Sequence, residues 1–324
     1  MSHAIVIHEL GGPEKLSFET VADPEPAAGQ VRLRQTAIGL NYVDVYFRTG
    51  LYKVSGLPFV LGQEGAGIVE AVGPGVSELA IGDRVAYAGA NGAYAESRLI
   101  AADRLVRLPS GIDDRTAAAM MLKGMTAEYL LYRCARVARG DTILFHAAAG
   151  GVGSIACQWA RAIGLKVIGT AGGGDKVARA RQNGCDEVID THREEIAPRV
   201  KAITGGAGVR AVFDSIGKET FEASLACLAP RGMLVLFGQS SGPVPPLDLA
   251  RLAAGGSLFV TRPSLTHYIG TREELVQSAG RLFDVVGRGA VRIPIGQTYA
   301  LRDTAQAHRD LEARRTTGST VLLP

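Results

Sequence analysis

Two stretches of the sequence carry residue types and spacings that could do chemistry. The first is Ile143-Leu144-Phe145-His146 followed at once by Ala147-Ala148-Ala149-Gly150-Gly151-Val152-Gly153. An apolar strand feeding a glycine turn that opens a helix leaves the first helical N–H groups without partners. It also removes the side chains that would hold a ligand off, and both features suit a pyrophosphate. Ala148 stands where the dinucleotide fingerprint usually has its first glycine, so a structural strand–turn–helix competes with this reading. The apolar strand before the turn, the helix after it and the further strand beyond favour a dinucleotide. The second stretch holds Asn41, Asp44, Tyr46 and Tyr52, with Gln63 and Glu64 farther on. An amide and phenols in such a set can orient a carbonyl oxygen and pass a proton, while Asp44 and Glu64 could equally be structural hydrogen-bonders, the commoner role for such carboxylates.

The strand after the glycine turn discriminates between cofactors. An NAD site ends that strand in Asp or Glu to accept the ribose hydroxyls. Here the run is Val167-Ile168-Gly169-Thr170-Ala171-Gly172-Gly173-Gly174, without an acid, and Lys176 follows as a cation able to reach a 2′-phosphate. That favours NADPH. Asp175 could take the acid's role if the loop shifts, and Lys176 could be a solvated helix lysine. Two later strand ends, Ser215 after Asp214 and Phe237-Gly238 with Ser240 and Ser241, sit where a nucleotide would touch the carboxyl edge of a parallel sheet. His146 lies on a buried strand and reads as a satisfied core histidine. No Gly-x-Ser-x-Gly elbow points to a hydrolase.

The elements that must position these groups fall into two rhythms. Up to about Leu108, β-like runs at Ala4–His8, Val31–Ile38, Gly67–Val72, Arg84–Ala88 and Ala95–Ile100 alternate with turn signals. The signals are Gly11-Gly12-Pro13, Asp23-Pro24-Glu25-Pro26, Gly73-Pro74-Gly75 and Gly82-Asp83. Short strands without long helices predict a partly closed antiparallel barrel. After Thr116 helices and strands alternate. Helices are predicted at Ala117–Arg136, Gly151–Gly164, Asp175–Asn183, Glu194–Thr204 and Thr220–Leu228. Strands are predicted at Thr142–His146, Val167–Ala171, Glu187–Ile189, Ala211–Asp214 and Met233–Phe237. Strict alternation implies a parallel sheet covered on both faces. Helices at Arg272–Gly287 and Asp303–Arg315 and strands at Arg292–Tyr299 and Ser319–Leu323 complete the chain. The expected organisation is α/β: a Rossmann domain at 125–262 inserted into a β-rich domain built from 1–124 and 263–324, with the chemistry in the cleft between them.

Composition narrows the function classes. A length of 324 residues suits two domains at about 150 residues each. Glycine is frequent, 41 residues, against only 14 prolines and 47% hydrophobic residues, so the glycines mark ordered turns rather than disorder. The net charge of +3 is spread without a basic stripe, which argues against nucleic acid as a partner. Cys134, Cys157, Cys185 and Cys227 lie far apart and outside any C-x-x-C spacing, which suits a reducing, cytoplasmic setting. No run approaches the 18 apolar residues of a membrane span, and the N-terminus lacks a signal-peptide core.

Gly140-Asp141-Thr142-Ile143-Leu144, the glycine turn and Gln158-Trp159-Ala160-Arg161 together resemble the quinone oxidoreductase/ζ-crystallin signature of the medium-chain dehydrogenase/reductase superfamily. Every fixed position of that signature is met. The resemblance covers the whole chain. It includes Asn41-Tyr42-Val43-Asp44-Val45-Tyr46 with Gly50-Leu51-Tyr52, Leu122-Lys123-Gly124-Met125-Thr126, Val260-Thr261-Arg262-Pro263-Ser264-Leu265, and the ending from Ala313-Arg314-Arg315 to Pro324. It implies a Rossmann domain inserted in a GroES-like β-barrel catalytic domain, and NADPH-dependent reduction of quinones. It also implies cofactor contacts from Asn41, Tyr42, Tyr46, Thr126, Tyr129, Gly150, Gly151, Val152, Gly153, Gly172, Lys176, Ser215, Phe237, Gly238, Ser240, Ser264, Leu265 and Arg314. In related reductases the loop from Asn41 lies against the nicotinamide, and relatives place a tyrosine near the adenine where this chain has Thr191, beside His192.

The zinc alcohol dehydrogenases of the superfamily carry Cys, His and Cys where this sequence has Asn41, Gln63 and Leu122, and no cysteine precedes Arg133 to build a structural zinc lobe. The expectation is a zinc-independent enzyme whose acceptor is a quinone, because a delocalised π-system takes hydride or single electrons without a Lewis acid. Asn41, Tyr46 and Tyr52 are the candidate catalytic residues, orienting quinone oxygens and relaying protons. In the competing reading the tyrosines only line the pocket and water supplies the proton. Alternative functions are NADPH-dependent reduction of α,β-unsaturated carbonyls and a non-enzymatic, ζ-crystallin-like NADPH-binding role. The apolar run Ser257–Thr261 predicts a sheet edge that must be covered, and relatives join such edges in a homodimer.

Overall fold

The computed structural model describes residues 1–23 and 25–324; Pro24, within the expected turn Asp23–Pro26, lies outside them. In chain order the first elements are β1 (Ser2–Ile7), β2 (Ser17–Val21), β3 (Gln30–Leu40), α1 (Tyr42–Arg48), β4 (Phe59–Val60), β5 (Glu64–Val72), β6 (Arg84–Ala88), β7 (Ser97–Ala101), β8 (Val106–Arg107) and α2 (Asp114–Tyr129). There follow β9 (Thr142–Phe145), α3 (Gly151–Ala162), β10 (Lys166–Ala171), α4 (Gly174–Gln182), β11 (Glu187–Asp190), α5 (Ile196–Ile203), β12 (Val209–Asp214), α6 (Phe221–Ala226) and β13 (Leu228–Leu236). The last are α7 (Ala250–Ala254), β14 (Phe259–Thr261), α8 (Arg272–Gly287), β15 (Ile295–Ala300), α9 (Thr304–Glu312) and β16 (Ser319–Leu323).

The chain forms two compact units. One comprises Met1–Met125, Ile269–Gly287 and Ile293–Pro324, the other Thr126–Tyr268 with Arg288–Arg292. The second crossing falls later than the sequence reading put it, and Pro263–Tyr268 stays with the second unit. Tyr268 explains this: its ring stacks on Tyr129 at 4.3 Å, and its carbonyl accepts from Arg133 at 2.8 Å.

In the first unit, β3 organises the sheet β15-β16-β3-β5-β6-β8, with β7 also paired to β3; β2-β1-β4 forms a separate small sheet. Alternation along β3 sets its faces. Val31 and Leu33 are buried with Val69, Val85 and Tyr87, while Arg32 and Arg34 point away and meet Glu70. The polar segment after Asn41, read as a loop, instead contains α1. Tyr, Val and Phe are poor helix formers, so propensity hid it. Asn41 and Asp44 form a reciprocal capping box, burial of Val45, Tyr46 and Arg48 fixes one face, and Gly50 in the left-handed region (φ +80°) leads the chain away.

In the second unit, six strands pair in the order β11-β10-β9-β12-β13-β14, all parallel. Ile143, Leu144, Phe145, Val212 and Phe213 are fully buried, as befits strands covered on both faces. From β9 the chain winds outward to β11, then resumes on the other side at β12. The order therefore reverses between β9 and β12, the position at which doubly wound sheets bind ligands. Two helical expectations were too long. Ala117–Arg136 is α2 followed by a π-helical turn at Leu130–Cys134, and Leu228 belongs to β13, where it pairs with Val209. No helix among the described residues is long and apolar enough to cross a membrane.

Candidate active site

Parallel strands all point their carboxyl ends one way, so the loops after β9, β10, β12 and β13 share one edge of the sheet. After β9, Ala147 adopts a left-handed conformation (φ +51°) and α3 begins with Gly150 at its N-cap. A Cβ on Gly153 would stand 2.3 Å from the Ala147 carbonyl oxygen and 2.8 Å from Ala148 Cα. Glycine there lets α3 pack onto the turn, which aims its N-terminal N–H groups across the edge. This arrangement fits a pyrophosphate.

The other loops are laced to each other. Ser240 N–H donates to Ser215 O at 3.1 Å, Ser241 N–H to Ile216 O at 2.8 Å, and Arg262 donates to the carbonyls of Leu236 and Gly238 at 2.9 and 3.1 Å. Phe237 packs on Phe145 at 5.7 Å between ring centroids. After β10, the Gly172–Gly174 loop is tied down by Asp190, whose Oδ1 accepts from Gly173 and His192 N–H at 3.1 Å each. These bonds hold the Asp190 carboxyl below its ordinary pKa range. His192 lies against Gly172, while Thr191 turns back to the Ala171 carbonyl at 3.4 Å. Lys176 is half-buried in the first turn of α4. Gly150–Gly153, Gly172, Lys176, Ser215, Phe237, Gly238 and Ser240 thus converge on one edge. Thr126 and Tyr129 lie in α2 within the same unit, as do Ser264 and Leu265 before and within a 3-10 turn.

His146 is fully buried beneath this edge, with Nδ1 3.1 Å from Thr170 Oγ1 and Nε2 3.0 Å from Ser224 Oγ. Burial lowers its pKa against the opposing pull of Asp214. The ring is a satisfied core histidine, as read from the sequence.

In the first unit, α1 gathers the other candidates. Tyr46 packs edge-on against Tyr42 (5.5 Å) and Tyr52 (5.2 Å), and Tyr52 N–H donates to the Tyr46 carbonyl at 2.9 Å. Burial raises the Tyr42 phenol pKa, with Glu312 adding to the rise and Arg314 opposing it. Tyr42 and Arg314 are therefore electrostatic neighbours.

Asn41 is held between two buried carboxyl groups. Its Nδ2 donates to Glu64 Oε2 at 2.8 Å, and its backbone N–H to Asp44 Oδ2 at 2.8 Å. Glu64 also accepts from the Leu122 N–H at Oε1 and forms an ion pair with Lys123 at Oε2, both at 2.8 Å. Lys123 is only 5% exposed. A Cβ on Gly39 would strike Glu64 Oε2 at 2.3 Å, so glycine clears the space for this carboxylate. The Asn41 amide, expected to meet quinone oxygens, is thus already engaged on Glu64. Gln63 donates to Asn91 Oδ1 at 3.2 Å.

Asp44 has no such cation bound to it. Its Oδ2 accepts from Tyr94 Oη at 2.8 Å as well as from Asn41, while Oδ1 is buried without a partner. Burial pushes its pKa up to about 7, against the lowering effect of Tyr94, Asn41 and Lys123. Behind Tyr94 stands His308, Nε2 to Oη 3.1 Å, and behind that Arg48, whose Nη1 donates to His308 Nδ1 at 2.9 Å. Arginine only donates, so the imidazole carries its proton on Nε2. Burial, with help from Arg48, depresses the His308 pKa to about 3. Arg48 is anchored in turn by Gly11 O and Glu312. Lys123, Tyr94, His308 and Arg48 were not among the sequence candidates. Lys123 sat in a recognised motif without a role, and nothing in the sequence linked Arg48 to His308.

The chain is similar to known proteins along its length. The profile for the alcohol dehydrogenase GroES-like domain matches residues 27–139, and that for zinc-binding dehydrogenase matches residues 151–283. The quinone oxidoreductase of Pseudomonas aeruginosa is 52% identical, with both chains covered in full. This chain belongs to the quinone oxidoreductase family. Quinone oxidoreductase 1 of Escherichia coli is 46% identical over the full length of both chains. A crystal structure of the Escherichia coli quinone oxidoreductase complexed with NADPH superposes with a TM-score of 0.97 at 46% identity, covering 99% of this chain and 100% of that one. The 2-haloacrylate reductase of a Burkholderia species is 45% identical, with 100% of this chain and 99% of that protein covered.

Proposed function

We infer that this chain is an NADPH-dependent quinone reductase. The observation that carries the reading is the full-length match to quinone oxidoreductases at up to 52% identity. The carboxyl edge of the parallel sheet supports the cofactor: a glycine-cleared α3 N-terminus for the pyrophosphate, no acid at the end of β10, and Lys176 in the next turn for a 2′-phosphate. When bound, NADPH supplies hydride or electrons to the quinone ring.

The chain's own contribution is orientation and proton handling. The Tyr46 and Tyr52 hydroxyls hold the quinone oxygens and pass protons to them as the ring is reduced. Asn41 fixes the start of α1 through Glu64 and Asp44 and so sets where the tyrosine ladder begins. Quinones need no metal to accept electrons, and the Asn41 and Gln63 amides are committed to Glu64 and Asn91.

The 2-haloacrylate reductase relative favours a second reading, reduction of an activated C=C bond conjugated to a carbonyl. Steady-state NADPH oxidation over a panel of benzoquinones, naphthoquinones and enones separates them. The first reading expects kcat/KM for at least one quinone to exceed that for every enone, and the reverse order would replace it. We also propose a homodimer in the cytoplasm. β14 closes the sheet with Phe259 54% exposed, an edge that a second copy can continue, and all four cysteines are free thiols, as a reducing compartment keeps them. Light scattering of the purified chain tests the dimer.

A further inference from the structure

Asn41 and α1 are held from two sides by carboxyl groups in opposite electrical settings. Glu64 is neutralised by Lys123 and fully occupied by donors. Asp44 is equally buried, meets no cation directly, and leaves one oxygen without a partner. Everything that touches Asp44 arrives at the other oxygen, and everything behind it is directional. Arg48 donates to His308, His308 to Tyr94, and Tyr94 to Asp44, with Asn41 N–H completing the set. A one-way chain of donors that ends on a single carboxyl oxygen serves to orient that oxygen. What the oxygen then holds is the first turn of α1, the element that carries Tyr42 and Tyr46.

We propose that Asp44 is a positioning residue for quinone reduction: its carboxylate, oriented by the Arg48–His308–Tyr94 chain, clamps the Asn41 N–H and thereby sets the tyrosine face of α1. The proposal rests on the quinone reductase reading above. The clamp is stronger when Asp44 is ionised, because hydrogen bonds to a charged acceptor are about twice as strong as neutral ones. Burial places that ionisation near pH 7. The charged or titratable groups facing Asp44 are Tyr94 and Arg48 on the donor chain with His308 between them, and Lys123 and Glu64 beyond Asn41. Of these, His308 stays neutral above about pH 3, so it contributes no inflection in the neutral range.

The test measures kcat and KM for a quinone from pH 5.5 to 8.5, together with NADPH affinity by fluorescence and thermal unfolding, for the wild type, Asp44→Asn and Tyr94→Phe. In the wild type, KM for the quinone should fall about three- to tenfold as pH rises through an inflection near 7. Asp44→Asn should abolish the inflection and keep the high-KM plateau at every pH. Tyr94→Phe removes a bond that favours the carboxylate, so its inflection should move to higher pH. A flat wild-type profile, an Asp44→Asn profile that keeps the inflection, or a Tyr94→Phe inflection that stays in place would overturn the proposal.

Unfolding provides an arm independent of turnover. A carboxyl with a raised native pKa binds its proton more tightly when folded, so its contribution to stability is lost as pH rises toward 7. Asp44→Asn should therefore gain melting temperature relative to the wild type between pH 5 and pH 8; a constant difference counts against the clamp. An enzyme that binds NADPH but reduces no quinone overturns the activity reading instead, and leaves the clamp to be decided by this arm.

Discussion

The carboxyl edge of the parallel sheet and the α1 cluster, the two candidate sites, are each held in shape by different means. At the edge the backbone does the work: Gly153 is defined by what its missing Cβ would hit, and the loops after β12 and β13 bond mainly through N–H and C=O groups. Around α1 the work falls to buried side chains, with Asp44 and Arg48 from α1 itself and Glu64, Tyr94, Lys123 and His308 drawn from four other places in the chain. Backbone recognition tolerates side-chain changes that avoid the glycines. A buried ionic network tolerates few, because removing one partner strands another.

That contrast can be broken or sharpened by substitution. Lys123→Met should have the largest effect, costing about 3–5 kcal/mol in urea unfolding, since Glu64 loses its buried counter-ion. Pairing it with Glu64→Gln should recover part of the loss, and a strictly additive double mutant would show that the two residues do not act together. The double variant Tyr46→Phe/Tyr52→Phe should lower kcat for a quinone by about a hundredfold. Undiminished turnover would reduce the tyrosines to a lining. Gly153→Ala should destabilise by about 1–3 kcal/mol and weaken NADPH binding, because the new methyl forces α3 away from Ala147. Lys176→Ala should raise the NADPH dissociation constant about tenfold and leave that for NADH unchanged. Equal losses for both nucleotides would remove Lys176 from 2′-phosphate recognition.

The two regions were also unequally legible. The glycine turn could be read because strand, turn and helix are contiguous, and their residue types follow from local backbone geometry. The parallel sheet followed from alternation alone. The helix α1 was missed because Tyr42-Val43-Asp44-Val45-Tyr46-Phe47 has strand-like composition and its cap is Asn-x-x-Asp rather than the commoner Ser/Thr-x-x-Glu. The end of the second unit was misplaced because Tyr268 joins it through a ring stacked on Tyr129, far away in sequence. For Asn41 the sequence supplied the residue and the resemblance supplied a role, yet its amide turned out to be held by Glu64.

The sequence by itself determined the α/β class, the glycine turn after β9, the missing acid at the end of β10 and the family. All of these depend on local spacing, which the chain carries without folding. Tertiary structure alone decided the electrostatics of the α1 cluster. Glu64 and Asp44 are both plain carboxylic acids in the sequence. Folding brings Lys123 onto one and leaves the other with neutral donors and an unpartnered oxygen, raising its pKa to about 7. Burial and the nearest charge set that difference, and both exist only once distant segments have packed together.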